Sequence, residues 1–287
     1  MEELASNVYI EDEYPGVTVA VIRQPRGLIQ IDAPPSPEDG RSWRASLMGM
    51  GGGPERVLVN LDAHPDRTLG VRAMDCTVIA HEKTAQAFRN RPNTFKAQGD
   101  ETGSNWEAIP GLGSVRWAPP EISFTNQMSL FWSETPILLK SQPGPAVGAI
   151  WVVIPAEKII FVGDAVVKGQ PPFLAHADLP AWIETLNDLL DSQYKGYTIV
   201  SSRSGVVSLQ VIRQQLLWLE RMHDRLEKLG QKKAPVGHTD KIAEQFVKDF
   251  RAPVLRQKQY LQRLRYGLNH YYLKHYYPAT RSPLDEN

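Results

Sequence analysis

Val57-Leu58-Val59-Asn60-Leu61-Asp62-Ala63-His64-Pro65-Asp66-Arg67-Thr68-Leu69-Gly70 is the stretch from which the rest of the chain can be placed. An apolar, β-branched run ends in Asp62, His64 and Asp66, and a helix-like segment follows. Residues two apart point the same way from an extended chain, so these three side chains converge at the mouth of a strand. A ligand or a metal is expected there. Asp66 is also placed to cap the segment that follows.

Bulk properties narrow the function classes. The 287 residues suffice for one large α/β domain or two modest ones. Lys and Arg balance Asp and Glu to a net charge of zero, so no global field steers nucleic acid or an anionic membrane to the protein. A single cysteine, Cys76, excludes an internal disulfide and a Cys-based zinc set. It lies in the apolar run Cys76-Thr77-Val78-Ile79-Ala80 and reads as a small core residue. No run approaches the ~18 apolar residues of a membrane span. No basic segment leads into an apolar one as a secretory leader requires, so the expected localisation is cytoplasmic.

Upstream of the opening stretch, residues 7–10, 17–22 and 28–32 are β-rich runs separated by Pro15-Gly16 and Pro25-Arg26-Gly27. They read as an antiparallel meander. Ser36 then caps a helix with Pro37 at its first position, ending near Gly51-Gly52-Gly53. Downstream, residues 68–74 read as a short helix, 76–80 as a buried strand and 81–89 as another helix. Residues 89–106 are polar and turn-rich, a surface loop long enough to act as a lid. Strand character returns at 121–124, 128–132, 137–140, 149–154, 158–162 and 197–200. Helices are expected over 179–190, capped by Asp178, and over 208–229, packed through Val211, Leu216, Leu217, Leu219, Met222 and Leu226.

This order resembles the metallo-β-lactamase fold family. The meander, the helix, Asp62-Ala63-His64-Pro65-Asp66-Arg67 against the family's H-x-H-x-D-H, the hairpin and Gly163-Asp164 fall in sequence over residues 7–230. Asp32 and Ser36 match a loop whose usual role in the family is structural. The resemblance implies an α/β fold, a four-layer αββα sandwich of the metallo-β-lactamase type over residues 1–230. Residues 231–287 would be a C-terminal helical extension packed on it. The resemblance also implies a cleft built from Asp62, His64, Asp66, Arg67, Pro145, Asp164, Arg203 and Ser204.

At that cleft the chain departs from the family. Asp62, Arg67, Pro145 and Ser204 stand where the resemblance places histidine ligands of a metal pair, and Asp164 where it places the bridging carboxylate. Arginine is always charged and cannot coordinate a metal. Converging carboxylates nonetheless need a cation, because like charges raise each other's pKa. Three readings follow: a metal-free site balanced by Arg67 and Arg203; one divalent ion (Mg²⁺, Mn²⁺ or Fe²⁺) on Asp62, His64, Asp66 and Asp164; or a zinc pair. The first is favoured, with no cofactor, since only His64 of these donors is a nitrogen.

His81 reads as a helix-start residue or a contact beside the site, and His176 as a surface-loop residue or part of the cleft wall. Thr239 or Asp240 reads as a helix cap. The last helix, 254–276, carries Arg256, Lys258, Arg263, Arg265 and Lys274 among tyrosines. It fits an amphipathic helix packed on the domain with snorkelling basic residues, a homodimer contact, or, least favoured, a nucleic-acid patch.

Two functions remain. One is a catalytically silent protein that binds a small molecule or a protein partner through the eroded cleft. The other is a hydrolase of a small ester, lactone, thioester or phosphoester using one metal or none, with His64 and Asp66 as candidate catalytic residues.

Overall fold

The computed structural model describes residues 1–96 and 102–277. Four strands open the chain: β1 (Glu2–Ala5), β2 (Val8–Glu11), β3 (Val19–Gln24) and β4 (Gly27–Ile31). They pair in order as the expected antiparallel meander. β1 is an addition to it. Its Glu2-Glu3-Leu4-Ala5 has no β-branched residue to signal a strand, and its exposed glutamates suit an unpaired sheet edge.

Helix α1 (Pro37–Leu47) starts as its sequence dictates, with Ser36 Oγ accepting the Asp39 N–H at 3.0 Å. It stops at Leu47, ahead of the glycine run. β5 (Glu55–Val59) pairs parallel to β4 and leads into α2 (Pro65–Thr68) and α3 (Val71–Met74). β6 (Thr77–His81), α4 (Glu82–Arg89) and β7 (Ile122–Phe124) complete a seven-stranded sheet in the order β1 to β7.

The second sheet has six strands, β8 (Gln127–Leu130), β9 (Ile137–Ser141), β10 (Ile150–Ile154), β11 (Ile159–Phe161), β12 (Thr198–Ser201) and β13 (Gly205–Val207). The β11–β12 pair is parallel because α5 (Leu179–Leu190) crosses between them. Helices α6 (Leu209–Gln231), α7 (Thr239–Phe246) and α8 (Val254–Tyr276) follow.

Central strands are apolar on both faces, which is why they read as continuous hydrophobic runs. Ile29, Val59 and Ile79 meet Leu139, Val152 and Phe161 between the sheets. Their neighbours Leu28, Leu58 and Val78 pack outward on Trp43, Leu47 and Met74. On the far side Trp151, Val153 and Ile160 pack against Trp182, Leu219, Leu264 and Tyr272 of α5, α6 and α8. The result is the α-β-β-α layering expected from the sequence, with C-terminal helices on the second sheet.

Particular assignments change. Leu217 is 59% exposed, and α6 instead buries Ile212, Gln215 and Trp218 beside Leu219, Met222 and Leu226. Thr239 and Asp240 do not cap α7: the Thr239 hydroxyl donates to Val236 O at 2.8 Å, and Asp240 faces Arg265 at the surface. Arg263 does not snorkel. It is buried on the α8 face that carries Tyr260, Leu264, Gly267 and Tyr271. Of the expected loop over 89–106, residues 97–101 lie outside the described residues; Phe95 and Trp106 on either side are buried edge-on to each other. No helix among the described residues is long and apolar enough to cross a membrane.

Candidate functional site

The site forms where β5 and β11 end and β12 turns into β13. Past β5, Leu61 O accepts the Ile150 N–H at 2.9 Å, tying the first sheet to the second. Asp32, just after β4, adopts φ 58°, a conformation that Asp tolerates better than most residues. There its Oδ1 accepts the Leu61 N–H at 3.0 Å and its Oδ2 the Ser202 hydroxyl at 3.2 Å. Asp62 Oδ1 accepts the His64 N–H at 2.8 Å. His64, not Asp66, caps α2: Pro65 takes the first helical position, and His64 Nδ1 accepts the Asp66 N–H at 3.2 Å. Asp66 turns inward, and its Oδ1 accepts the Trp106 N–H at 2.7 Å.

Two guanidiniums fill the space among these carboxylates. Arg67 donates through Nη2 to Asp164, with Nε 3.3 Å from Asp62 Oδ1 and Nη1 3.6 Å from Asp32 Oδ2. Arg203 reaches in from the β12–β13 turn. Its Nε is 2.9 Å from both oxygens of Asp164, and its Nη1 donates to Asp66 Oδ2 at 2.6 Å and Gly16 O at 3.0 Å. Its Nη2 lies 3.1 Å from His64 Nδ1. Every charged side chain in this cluster is buried.

The charges divide accordingly. Burial pushes Asp164 up, but Arg203 and Arg67 outweigh it and hold the carboxyl well below the usual range. Burial dominates at Asp32, which is pushed up to about 7, and raises Asp62 despite Arg67. Arg67 and Arg203 thus keep Asp164 ionised from two sides, while Asp32 and Asp62 are driven toward the neutral form. Burial and then Arg203 depress His64 well below its ordinary value, so the imidazole is neutral near pH 7. Because its Nδ1 accepts from a backbone N–H and from an arginine, which can only donate, the proton sits on Nε2.

Outside the cluster lies a cavity of about 450 Å³, in the range of small-molecule sites. His64 forms part of its wall, with Trp106, Pro145, Val147, Phe173 and Arg91 among its neighbours. Phe173 is the seam between cluster and cavity: Arg203 lies 4.5 Å from its ring centroid, Arg263 4.0 Å, and the His64 ring 4.4 Å. Arg263 donates to Gly103 O through Nε and Nη2 at 3.0 and 2.9 Å, and through Nη1 to Pro171 O at 3.0 Å. Burial and then Arg203 lower its pKa to about 9.

Of the residues singled out in the sequence, the fold brings together Asp62, His64, Asp66, Arg67, Asp164 and Arg203. Pro145 lines the cavity. Ser204 stands apart, its hydroxyl accepting the Lys168 N–H at 3.0 Å. His81 caps α4 and its Nε2 is 2.6 Å from Thr125 O, so it is a helix-start residue. His176 is exposed at the cavity wall. Phe173, Arg91 and Arg263 were missed. The one usable signal was at Arg263, which falls at three- and four-residue spacing among the buried tyrosines and leucines of α8.

The donors do not fit a metal ion. Both Asp164 oxygens and His64 Nδ1 are taken by guanidinium N–H groups, and no group of three or more His, Cys, Asp or Glu among the described residues could hold one.

No family model and no curated protein matches the sequence. Solved structures do match the fold. A metallo-beta-lactamase from Pontibacter korlensis superposes with a TM-score of 0.59 at 18% identity, over 76% of this chain and 97% of that one. The DIM-1 metallo-beta-lactamase gives 0.60 at 15% identity, over 77% and 96%. A metallo-beta-lactamase from Erythrobacter litoralis, with beta mercaptoethanol in its active site, gives 0.57 at 18%, over 77% and 95%. The chain has the metallo-β-lactamase fold.

Proposed function

We propose that this protein is a catalytically silent, metal-independent small-molecule binder, using the cavity beside the strand-end loop. The observation that carries this reading is the interleaving of Arg67 and Arg203 with Asp62, Asp66 and Asp164, which pairs the loop's carboxylates with guanidiniums. Arginines that are always protonated hold the charge that a bound cation would hold. What the loop presents outward is one face of His64, set in a largely apolar wall.

A metal-free hydrolase would need a general base facing its substrate. His64 is the residue available, yet its acceptor nitrogen, Nδ1, is turned into the cluster and bonded twice. Only the protonated Nε2 is left for a ligand, so His64 can donate a hydrogen bond but not take a proton. Asp66 is likewise engaged by Arg203 and by the Trp106 N–H.

A panel of small esters, lactones, thioesters and phosphoesters, assayed with and without chelator, tests the reading. The expected result is no turnover above that of a His64→Ala variant. Turnover that this variant or Asp164→Asn abolishes while remaining folded would overturn it in favour of the hydrolase.

A further inference from the structure

Arg91 follows α4 and lines the cavity. Its guanidinium lies over two rings, 5.1 Å from the Phe88 centroid and 4.8 Å from that of Trp117. Nη2 donates to Ala63 O at 2.9 Å, and Ala63 is the residue next to His64. Nη1 is buried and has no hydrogen-bond partner among the described residues. A charged donor left unmet in this way is costly, more so than a neutral one. The aromatic faces and one carbonyl hold the arginine in position without neutralising it.

The surroundings share this imbalance. Arg263, in the same wall, is bonded to carbonyls and to the amides of Gln170 and Asn105, and like Arg91 has no carboxylate partner among the described residues. His64 turns its Nε2–H away from the cluster. The wall hydroxyls of Thr102 and Ser104 are already bonded to each other, and Thr102 also to Glu107. The cavity therefore combines an apolar lining with the unneutralised charge of Arg91 and Arg263 and one N–H donor, His64 Nε2.

Resting on the reading of this cavity as a binding site, we propose that its ligand is a monocarboxylate with an apolar body. The carboxylate accepts from His64 Nε2 beside the uncompensated charge of Arg91 and Arg263, and the body lies against Trp106, Pro145, Val147 and Phe173. A phosphate group is a poorer match: it brings a further oxygen and more charge, and the remaining hydroxyls are committed. One imidazole N–H donor with guanidinium charge close by suits a single carboxylate, and charge attraction in a low-dielectric wall favours the acid over an uncharged isostere.

Octanoate, phenylacetate and the neutral isostere octanamide, titrated into chelator-treated protein by calorimetry and by intrinsic tryptophan fluorescence, test the proposal. Saturable one-to-one binding of either acid, with octanamide roughly ten- to a hundred-fold weaker than octanoate, is expected from loss of the charge-assisted bonds. Octanoate against phenylacetate distinguishes an aliphatic from an aromatic body. Arg91→Gln should reduce the preference for acid over amide several-fold, leave octanamide binding in place and keep the folded-state circular dichroism, with no reduction overturning the role of Arg91; Arg91→Lys should retain more of the preference. Should Arg91→Gln not fold, the acid-to-amide ratio of the wild type decides alone. Equal affinity for acid and amide would overturn the carboxylate assignment while the cavity stands as a binding site. No binding by any probe at millimolar concentration would overturn both.

Discussion

Arg203 Nε stands 2.9 Å from both oxygens of Asp164, and Arg67 donates to the same carboxylate from the other side. Asp164 follows β11 in the second sheet, whereas Arg67 lies on α2 at the end of β5 in the first. The carboxylate is thus a clamp between the two halves of the sandwich, made in a dry interior where removing one partner strands the others.

Asp164→Asn should accordingly cost about 3–5 kcal/mol, because two buried guanidiniums lose their shared counter-charge. Arg221→Ala is the control. Its pair with Asp249 is exposed and should be worth under about 1 kcal/mol. Urea denaturation of the two variants measures both, and similar losses would contradict the clamp.

The pH dependence has two opposing parts. Asp32 titrates at about 7 in the fold against an ordinary 3.8, so between those values the native protein keeps a proton that the unfolded chain has released. Stability from this group falls as pH rises through that window and is level above it. His64 is depressed below 6.5, so its contribution is lost as pH falls under that value, where the unfolded chain binds the proton more readily. Relative to wild type, Asp32→Asn should gain stability as pH rises from about 4 to 7. His64→Gln should gain relative to wild type as pH falls below about 6.5. Level differences in urea titrations would contradict these assignments.

Two guanidiniums, of Arg203 and Arg263, lie over the Phe173 ring. Phe173→Leu keeps most of the volume but removes the ring, and should cost about 1–2 kcal/mol; Phe173→Tyr should cost less than about 0.5 kcal/mol. Thermal melts of the pair check this, and equal losses would contradict a role for the ring.

Gly103 couples the cavity wall to α8. It sits at φ 68°, and a Cβ there would lie 2.6 Å from Gln259 O and 2.7 Å from the Arg263 backbone nitrogen. Gly103→Ala should cost roughly 1 kcal/mol or more and displace Arg263, whose guanidinium is bonded to the Gly103 carbonyl. Hydrogen exchange at the Arg263 amide checks it; unchanged protection would show that α8 docks independently of this loop.

Much of the fold was written in local chemistry. Ser36 and Asp178 each cap the helix their position implies, and Val57-Leu58-Val59 belongs to the strand it resembles. The site was legible where residues adjoin in sequence, at Asp62, His64 and Arg67, and where an ordered resemblance reached Asp164 and Arg203. Asp66 was misassigned as a cap because Asp and His can both accept a backbone N–H, and Pro65 fixed the helix start one turn position earlier. Phe173, Arg91 and Arg263 were hidden for another reason: their roles arise only when α4, the segment before α5 and α8 meet, and no local pattern records that meeting.

Calorimetric titration of Zn²⁺ into chelator-treated protein bears most directly on the exchange of metal for arginine. With Arg67 and Arg203 in place, no saturable zinc binding is expected, and chelator should leave the melting temperature unchanged. Saturable binding of one or two zinc ions per chain, lost in Asp164→Asn or His64→Ala, would contradict it.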